Sequence, residues 1–381
     1  MSRYFLFGTL TWDALLTQVA GRPVATSPAT LDGWSVERAA DGDWPVLAEG
    51  GQTMGLLTEP LSDDCRARLD WYETAFAYLP EAVTVTGPDG PVAALVYRAG
   101  GAEGAGVPWS RDGWVALHGD RTILAAAEVQ RAMGRMTPAA IAARRGVIQA
   151  RAQGIVAARA AHRPVTVGGG APVEDIRVES VDYPYEGFHR VEEWTLDHPR
   201  FDGTRSGRIN RAISHITDAA TVLPYDPRRD RVLLVEQIRI GALAKGDRQP
   251  WMLEPVAGLI DAGEGPETTA LRELEEEAGI TVDRGDLHFV ARYFPSPGGV
   301  AQVIHSYVAV CDLPDDAGGL HGLASEHEDI RAHVVPLSQV LAMVASGEAA
   351  NAPLIVSVQW LGLHADGLRA GRPVEDLQSG V

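Results

Sequence analysis

Three glutamates in the second half of the chain have the spacing of a metal site. Glu273, Glu276 and Glu277 lie at positions i, i+3 and i+4, so a helix would bring their carboxylates onto one face. Like charges at this spacing repel one another, and a divalent cation such as Mg²⁺ or Mn²⁺, which prefers oxygen ligands, would reverse that cost. A solvated acidic helix face is the alternative interpretation, and three glutamates alone favour it.

The residues around the glutamates decide between these interpretations. Gly258 lets the chain turn without a Cβ, Pro266 suits the first helical turn and Gly279 suits the position after the last turn. Arg272 is placed to clamp Glu264 of the preceding loop to the helix. Together these positions predict a loop, a helix and a second loop that hold a metal ion.

Residues 258–280 match every specified position of the Nudix box, GX₅EX₇REUXEEXGU, in which U is an aliphatic residue. The chain therefore resembles the Nudix hydrolases, which hydrolyse a diphosphate linked to a second group, and this resemblance implies an α/β/α sandwich. It also implies that Glu264 and Arg272 hold the loop. The implied metal ligands are Glu273, Glu276, Glu277 and the main-chain carbonyl of Ala257.

The segments that flank the box resemble bacterial ADP-ribose pyrophosphatases over nearly the whole second half of the chain. The resemblance implies ADP-ribose as the substrate, with AMP and ribose 5-phosphate as the products. Such a substrate requires arginines near its diphosphate and close approach of the main chain. The implied substrate-binding residues are Arg211, Arg239, Gly298 and Gly299. The similar segments are residues 201–203, 223–227, 235–239, 250–254, 296–299, 322–330, 351–352 and 359–360.

Two more glutamates lie in the segment 325–329. The resemblance implies that Glu326 is the general base and that Glu328 is a further metal ligand, whereas the alternative is a solvated acidic loop. One position departs from the family: three residues after Gly299 the family often has a glutamate, and this chain has Gln302. Either another carboxylate replaces it, or the position matters only for the fit of the substrate.

The first hundred residues carry short motifs of a different kind, which resemble the γ-glutamylcyclotransferase-like (AIG2-like) fold, a small β-barrel-like domain. This resemblance implies that Glu73 is an acid/base residue, although Phe7 replaces the usual tyrosine before the glycine. The alternative is an exposed Glu73 on a non-catalytic fold used for binding or assembly. A domain of this type ahead of a Nudix domain resembles the tellurite-resistance-associated ADP-ribose pyrophosphatases. The similar segments are residues 4–10, 55–57, 69–73 and Tyr78.

The hydrophobic patterns predict the elements that position these residues. Short β-branched and aromatic runs separated by Gly, Pro and Asp predict strands, and they do not alternate regularly with helices, so we predict an α+β protein. An Ala- and Arg-rich stretch with a break near Thr137 predicts helices. The predicted parts are a γ-glutamylcyclotransferase-like domain at 1–100, a helical linker region at 101–171 and a Nudix domain at 172–381.

Composition narrows the partners and the compartment. The formal net charge is −18 and Lys245 is the only lysine, which argues against nucleic acid and anionic membranes as partners. Cys65 and Cys311 match no metal or redox spacing, and the start of the chain is unlike a signal peptide. We therefore expect a cytoplasmic enzyme with a small-molecule nucleotide substrate, and the resemblance implies a homodimer.

Three other functions stay open at this point. In the first, the substrate of the Nudix domain is another nucleotide sugar or a dinucleotide. In the second, γ-glutamyl cyclisation through Glu73 is the main activity and the Nudix domain is regulatory. In the third, the Nudix box binds a nucleotide without turnover, although the presence of Glu326 argues against a domain that has lost its base.

Overall fold

A computed structural model of the chain describes residues 2–322 and 328–372. The chain divides into two compact units, Met1–His162 and Arg163–Val381. This division differs from the predicted one, because the region 101–171 lies mostly within the first unit.

The first unit is built on a closed barrel. Its sheet has the strand order β3-β1-β5-β4-β2-β6, and the pairing of β2 with β3 closes five of these strands into a ring. The predicted barrel is therefore confirmed. The strands are β1 (Tyr4–Leu6), β2 (Thr26–Ala39), β3 (Pro45–Thr58), β4 (Tyr78–Gly87), β5 (Gly90–Ala99) and β6 (Gly104–Pro108).

Helices cover one side of this barrel. Residues of the predicted linker, among them Trp114, Val129 and Ile148, are buried in the same apolar cluster as Tyr4 and Leu69. The linker helices therefore belong to the core of the first unit, since their apolar faces are buried there. The helices are α1 (Asp13–Ala20), α2 (Asp63–Ala75), α3 (Arg111–Arg131), α4 (Pro138–Ala142) and α5 (Arg145–Ala160).

The second unit contains two sheets. A four-stranded sheet has the order β15-β9-β8-β7, and the central sheet has the order β14-β16-β10-β11-β18-β17, with β12 paired to β11 and β13 paired to β10. The strands are β7 (Arg177–Glu186), β8 (Arg190–Asp197), β9 (Ile209–His215), β10 (Ala219–Asp226), β11 (Arg231–Ile238), β12 (Trp251–Glu254), β13 (Val256–Leu259), β14 (Leu287–Tyr293), β15 (Val300–Ala301), β16 (Ile304–Val310), β17 (Gly319–His321) and β18 (Ile330–Pro336).

Helices lie on both faces of the central sheet, which confirms the predicted α/β/α sandwich. On one face Ala270 and Leu274 pack against Ala220 and Val222 of β10. On the other face the last two helices pack against Leu223 of β10 and its neighbours. The helices are α6 (Ile240–Lys245), α7 (Pro266–Ala278), α8 (Leu337–Ser346) and α9 (Ala352–Arg369). Among the described residues, no helix is both long and apolar enough to span a membrane.

Candidate active site

The helix that carries the glutamates is α7, and its ends follow from the sequence. Pro266 occupies its first turn after Gly265, and Gly279 ends it in the left-handed region at φ 63°. The helix is amphipathic, so Leu274 and Ala278 face the sheet core. The polar side chains beside that apolar face are then directed toward the edge of β13.

Arg272 connects the helix to the preceding loop. Its Nε and Nη2 donate to the Glu264 carboxylate at 3.2 Å each, and its Nη1 donates to Glu273 at 2.7 Å and to Glu276 at 2.9 Å. Thr269 also donates to Glu264, at 2.9 Å. The loop-holding contact expected between Arg272 and Glu264 is present, and Arg272 also partly compensates the charge of two other glutamates.

Gly258 on β13 makes room for Glu273. A Cβ placed on Gly258 would lie 1.8 Å from Glu273 Oε1 and 2.0 Å from Glu273 Cδ. No side chain fits in that gap. The glycine of the box is therefore required because the Glu273 carboxylate lies directly against the main chain of β13.

Glu277 is the most deeply buried of the three glutamates, with 1% of its surface exposed. The main-chain N–H of Ala257 donates to its carboxylate at 2.9 Å. Burial, followed by the charges of Glu273 and Glu328, raises the pKa of Glu277 to about 8. Burial, together with the charges of Glu276 and Glu328, raises the pKa of Glu273 to about 7. A nearby cation would stabilise the charged form of both carboxylates.

These side chains fit a divalent metal by their chemistry. Carboxylate oxygens are the ligands that hard divalent cations prefer, and the burial that raises the pKa of Glu273 and Glu277 disfavours their charged forms unless a cation is near. Within the described parts of the chain, no three acidic, histidine or cysteine side chains already form a metal-binding group. Arg272 lies between Glu273 and Glu276, and its contacts hold these two carboxylates in place.

The loop predicted to carry the base is described at its two ends. Glu326 lies outside the described residues. Glu328 is half-buried, and a Cβ on Gly322, whose φ is +100°, would lie 2.8 Å from Glu328 Cβ. The two ends of the loop therefore touch. The charge of Glu328 contributes to the raised pKa values of Glu273 and Glu277, so Glu328 lies close to both.

Arg239 lies at the end of β11 and is held by a second buried carboxylate. Its Nε donates to Glu254 Oε2 at 2.6 Å, and Asn351 donates to the other oxygen of Glu254 at 2.6 Å. Asn351 also caps α9, where it accepts from the N–H of Leu354. The charge of Arg239 acts to lower the pKa of Glu277, which places the guanidinium near the box helix.

Sequence reasoning did not assign a role to Glu254 or Asn351. The two residues are 97 positions apart in the chain, and their contact depends on the packing of α9 against the sheet. The only local signal is that Asn351 directly precedes a helix with Pro353 in its first turn. This signal predicts a helix cap but not a contact with Glu254.

Arg211, Gly298 and Gly299 lie around the four-stranded sheet. Arg211 is exposed on β9, and its guanidinium donates to the carbonyl of Asn210 at 2.8 Å. The carbonyl of Gly299 accepts from the N–H of Ser214 on β9, at 2.8 Å, so the glycine loop adjoins that strand. A Cβ on Gly298 or Gly299 would meet no described atom within 4 Å. Packing within the described chain therefore does not require glycine here.

A buried glutamate of the first unit is the predicted acid/base residue of the barrel domain. Glu73 on α2 is 8% exposed, and burial raises its pKa to about 8. The alternative interpretation is therefore wrong about exposure, whereas a non-catalytic role for the fold stays an alternative. Among residues 2–322 and 328–372, no group donates a hydrogen bond to its carboxylate. Its charge contributes to raising the pKa of Tyr78, whose hydroxyl donates to the carbonyl of Pro45 at 2.8 Å. Pro45 in turn covers Gly8, since a Cβ there would lie 2.5 Å from Pro45 Cγ.

The second unit is a mixed sheet between helical layers, with a glutamate-rich helix against a glycine of that sheet. The NUDIX domain model matches residues 215–356. The chain belongs to the Nudix family. The model for "Gamma-glutamyl cyclotransferase, AIG2-like" matches residues 4–116, which include the barrel and Glu73.

Several similar proteins match the second half of the chain. An ADP-ribose pyrophosphatase of Haemophilus influenzae is 40% identical over 193 residues, which cover 50% of this chain and 88% of that protein. An ADP-ribose pyrophosphatase of Escherichia coli K12 is 40% identical over 206 residues, covering 54% of this chain and 95% of that protein. A GDP-mannose pyrophosphatase of Klebsiella pneumoniae is 32% identical over 186 residues, covering 49% and 90%.

Proposed function

We propose that the second unit hydrolyses the diphosphate of ADP-ribose to AMP and ribose 5-phosphate, with Mg²⁺ or Mn²⁺ as the divalent metal. The observation that supports this most is the placement of two carboxylates, the partly buried Glu273 and the buried Glu277, against β13 and near Arg239. The similarity to ADP-ribose pyrophosphatases over nearly their whole length supports the choice of substrate.

The residues that would hold the metal are Glu273, Glu276, Glu277, Glu328 and the carbonyl of Ala257. When bound, the metal supplies positive charge to the diphosphate and lowers the pKa of water. Arg239 would bind the diphosphate, because a guanidinium matches phosphate oxygens with two parallel hydrogen bonds. Arg211, Gly298 and Gly299 would contact the rest of the substrate.

The reaction requires one water molecule and one base. Water adds to one phosphorus, the bond from that phosphorus to the bridging oxygen breaks, and the bridging oxygen leaves with the other phosphoryl group. We propose that Glu326 is the base that takes the proton of the attacking water. Glu264 and Arg272 keep the box loop on α7 and take no proton.

The test is an incubation of the purified protein with ADP-ribose, in the presence of Mg²⁺, Mn²⁺ or a chelator, with products identified by mass. We expect AMP and ribose 5-phosphate only when metal is present. GDP-mannose is the comparison substrate, because a GDP-mannose pyrophosphatase is among the similar proteins. Faster turnover of GDP-mannose than of ADP-ribose would assign the domain to another nucleotide sugar.

Replacing Glu254 by glutamine is expected to raise the KM for ADP-ribose about tenfold and to change kcat little. A glutamine has one acceptor oxygen in place of two, so it cannot accept from both Arg239 and Asn351, and the guanidinium loses its fixed position. Steady-state kinetics over a range of ADP-ribose concentrations measure this change.

Glu236→Gln is the matched control for Glu254. Glu236 lies on β11, the strand that pairs with the strand of Glu254, but its side chain pairs with His333. We expect its KM to match that of the wild type. An equal rise in KM in both variants would mean that Glu254 acts only on general stability, and not through Arg239.

We further propose that the protein is a homodimer in the cytoplasm. The compartment is supported by the two cysteines, Cys65 and Cys311, which are both free thiols as expected in a reducing environment. Light scattering of the full chain would give its mass in solution, and the mass of one chain would contradict the dimer.

A second candidate function belongs to the first unit: γ-glutamyl cyclisation with Glu73 as acid/base. The specific observation in its favour is a buried carboxylate whose pKa is raised to about 8. A pKa in the neutral range suits a residue that must both take up and release a proton. Incubation with γ-glutamyl amines and detection of 5-oxoproline would test it. A Glu73→Gln variant that forms 5-oxoproline as fast as the wild type would contradict the role.

The raised pKa of Glu73 also predicts a pH-dependent stability. The folded pKa of about 8 lies above that of an unfolded glutamate, so the folded state keeps a proton that the unfolded state loses. The contribution to stability is complete below about pH 4 and is lost as the pH rises toward 8. We expect the titration of Glu73 to lower the free energy of unfolding by roughly 1 kcal/mol per pH unit between about pH 5 and 8.

Glu73→Gln removes this titration, so its unfolding free energy is expected to depend less steeply on pH than that of the wild type. The measurement is thermal or urea unfolding at several pH values. Glu59→Gln is the control, because the side chain of Glu59 is exposed and only 3.6 Å from Arg3 in a surface pair. Parallel pH profiles for wild type and Glu73→Gln would rule out a titration at Glu73.

A further inference from the structure

A cluster of polar side chains that the resemblance does not assign lies beside the box loop. Asp218 immediately precedes β10, and its carbonyl accepts from the N–H of Ile260, at 2.9 Å, where the box loop begins. Its carboxylate accepts from the N–H of Val303 at 2.8 Å. Asp218 is therefore fixed between the box loop and the segment that follows Gly299.

Arg292 lies on β14 of the central sheet. It pairs in register with His305 across β14 and β16, and His305 pairs with Ala220 across β16 and β10. Side chains in one such row share a face of the sheet. Asp218 directly precedes β10, and the charge of Arg292 acts on its carboxylate, so these two side chains lie near each other. Ala220 packs under α7, which makes this the face that carries the box helix.

Arg292 has no counter-ion within ion-pair distance among the described residues. It is half-buried, and its guanidinium carbon lies 5.8 Å from the centre of the Phe294 ring. Burial, followed by the charge of Arg292, lowers the pKa of His305 to about 4, so this histidine is neutral at pH 7. Burial raises the pKa of Asp218, and the charges of Arg292 and His215 oppose that shift. Arg292 thus has a carboxylate nearby but does not pair with it.

Gln302 does not supply the carboxylate that the family often has at its position. Its side-chain amide donates to the carbonyl of Thr217 at 2.8 Å. A glutamate could not make that contact, because an ionised carboxylate has no proton to donate. The carbonyl that binds Gln302 belongs to the residue directly before Asp218, so a different carboxylate is available close to the same place.

We propose that Asp218 and Arg292 form the subsite for the sugar on the side of the diphosphate away from the adenosine, in place of a carboxylate at position 302. The carboxylate accepts from sugar hydroxyls and the guanidinium donates to sugar oxygens, which is how such a pair binds a polyhydroxyl group. β14 leads from Arg292 into the loop with Gly298 and Gly299, which borders the proposed substrate site. This inference rests on the proposed hydrolysis of ADP-ribose.

Product inhibition tests this subsite, because the two products report on different parts of the site. Ribose 5-phosphate carries the sugar in question, and AMP carries the adenosine. For Arg292→Gln and Asp218→Asn we expect the KM for ADP-ribose and the inhibition constant of ribose 5-phosphate each to rise about tenfold. The inhibition constant of AMP is expected to stay within about twofold of the wild type.

Asn at 218 keeps an oxygen that can accept from Val303, so the fold should persist, and thermal unfolding of each variant checks this. Arg292→Lys keeps the charge and is expected to recover part of the loss. Arg228→Gln is the control, because Arg228 is exposed and pairs with Asp312 at 3.4 Å.

The outcomes separate the two proposals. If the wild type does not hydrolyse ADP-ribose, the proposed function is wrong. If it does, and the variants raise the inhibition constants of AMP and ribose 5-phosphate equally or change neither, Asp218 and Arg292 do not bind the sugar. Selective loss of ribose 5-phosphate inhibition supports the subsite.

Discussion

Replacing Glu277 by glutamine is expected to lower kcat/KM for ADP-ribose about a thousandfold, or roughly 4 kcal/mol of transition-state stabilisation. The side chain is 1% exposed, and its proposed role is to bind the metal, which a neutral amide does poorly. Glutamine has the same shape and keeps an oxygen that can accept from Ala257, so the helix should remain in place. Metal-dependent product formation and thermal unfolding measure the two effects separately.

The matched control is Glu275→Gln, because Glu275 lies on the same helix but is exposed. We expect it to retain wild-type activity and the same dependence on metal concentration. If Glu277→Gln keeps more than about a tenth of the activity at the wild-type metal concentration, Glu277 is not a metal ligand of this enzyme.

Replacing Gly258 by alanine is also expected to have a large effect, a fall in activity of about a hundredfold or more. The new Cβ would lie 1.8 Å from Glu273 Oε1 and 2.5 Å from Glu273 Cγ, so the end of that side chain must move away from β13. The main chain of Gly258 does not have a positive φ, so alanine itself is compatible with the strand. Activity should therefore be lost while the protein stays folded.

Activity assays over a range of Mg²⁺ concentrations would show this change as a weaker apparent affinity for metal, with thermal unfolding as the check on folding. Gly285→Ala is the control, because a Cβ there meets no described atom within 4 Å. Wild-type activity and metal affinity in Gly258→Ala would mean that the position of Glu273 against β13 is not needed for the reaction.

Local sequence signals predicted the box helix well. Gly265, Pro266 and Gly279 bracket α7 in the sequence, and the helix spans Pro266–Ala278. α8 likewise ends at a glycine, Gly347, with φ 86°. Both helices are amphipathic and end at a glycine in the left-handed region, and these are properties of a short stretch of sequence.

The long strands β2 and β3 were not predicted. Each spans 14 residues, but glycines interrupt both, with Gly33 in β2 and Gly50 and Gly51 in β3. Their burial does not alternate cleanly, since the pair has a register shift between Asp32 and Trp34. The two strands are defined by pairing with each other to close the barrel, and that pairing is not visible in either segment alone.

The sequence by itself determined the family-specific parts of the site. The spacing of Glu273, Glu276 and Glu277 defines one helix face, and Arg272 reaches Glu264 from the same turn as these glutamates. Such relations depend on helical periodicity and on contacts between near neighbours in the chain. They therefore follow from the residues and their spacing.

The tertiary structure alone decided how these residues are supported. Only the folded chain brings Glu254 to Asn351, buries Glu73, places the predicted linker helices in the first core and puts Arg292 in one row with Ala220 across the central sheet. Each of these arrangements depends on segments far apart in sequence. Burial and long-range pairing depend on how complete elements pack together, and no local pattern of residue types contains that information.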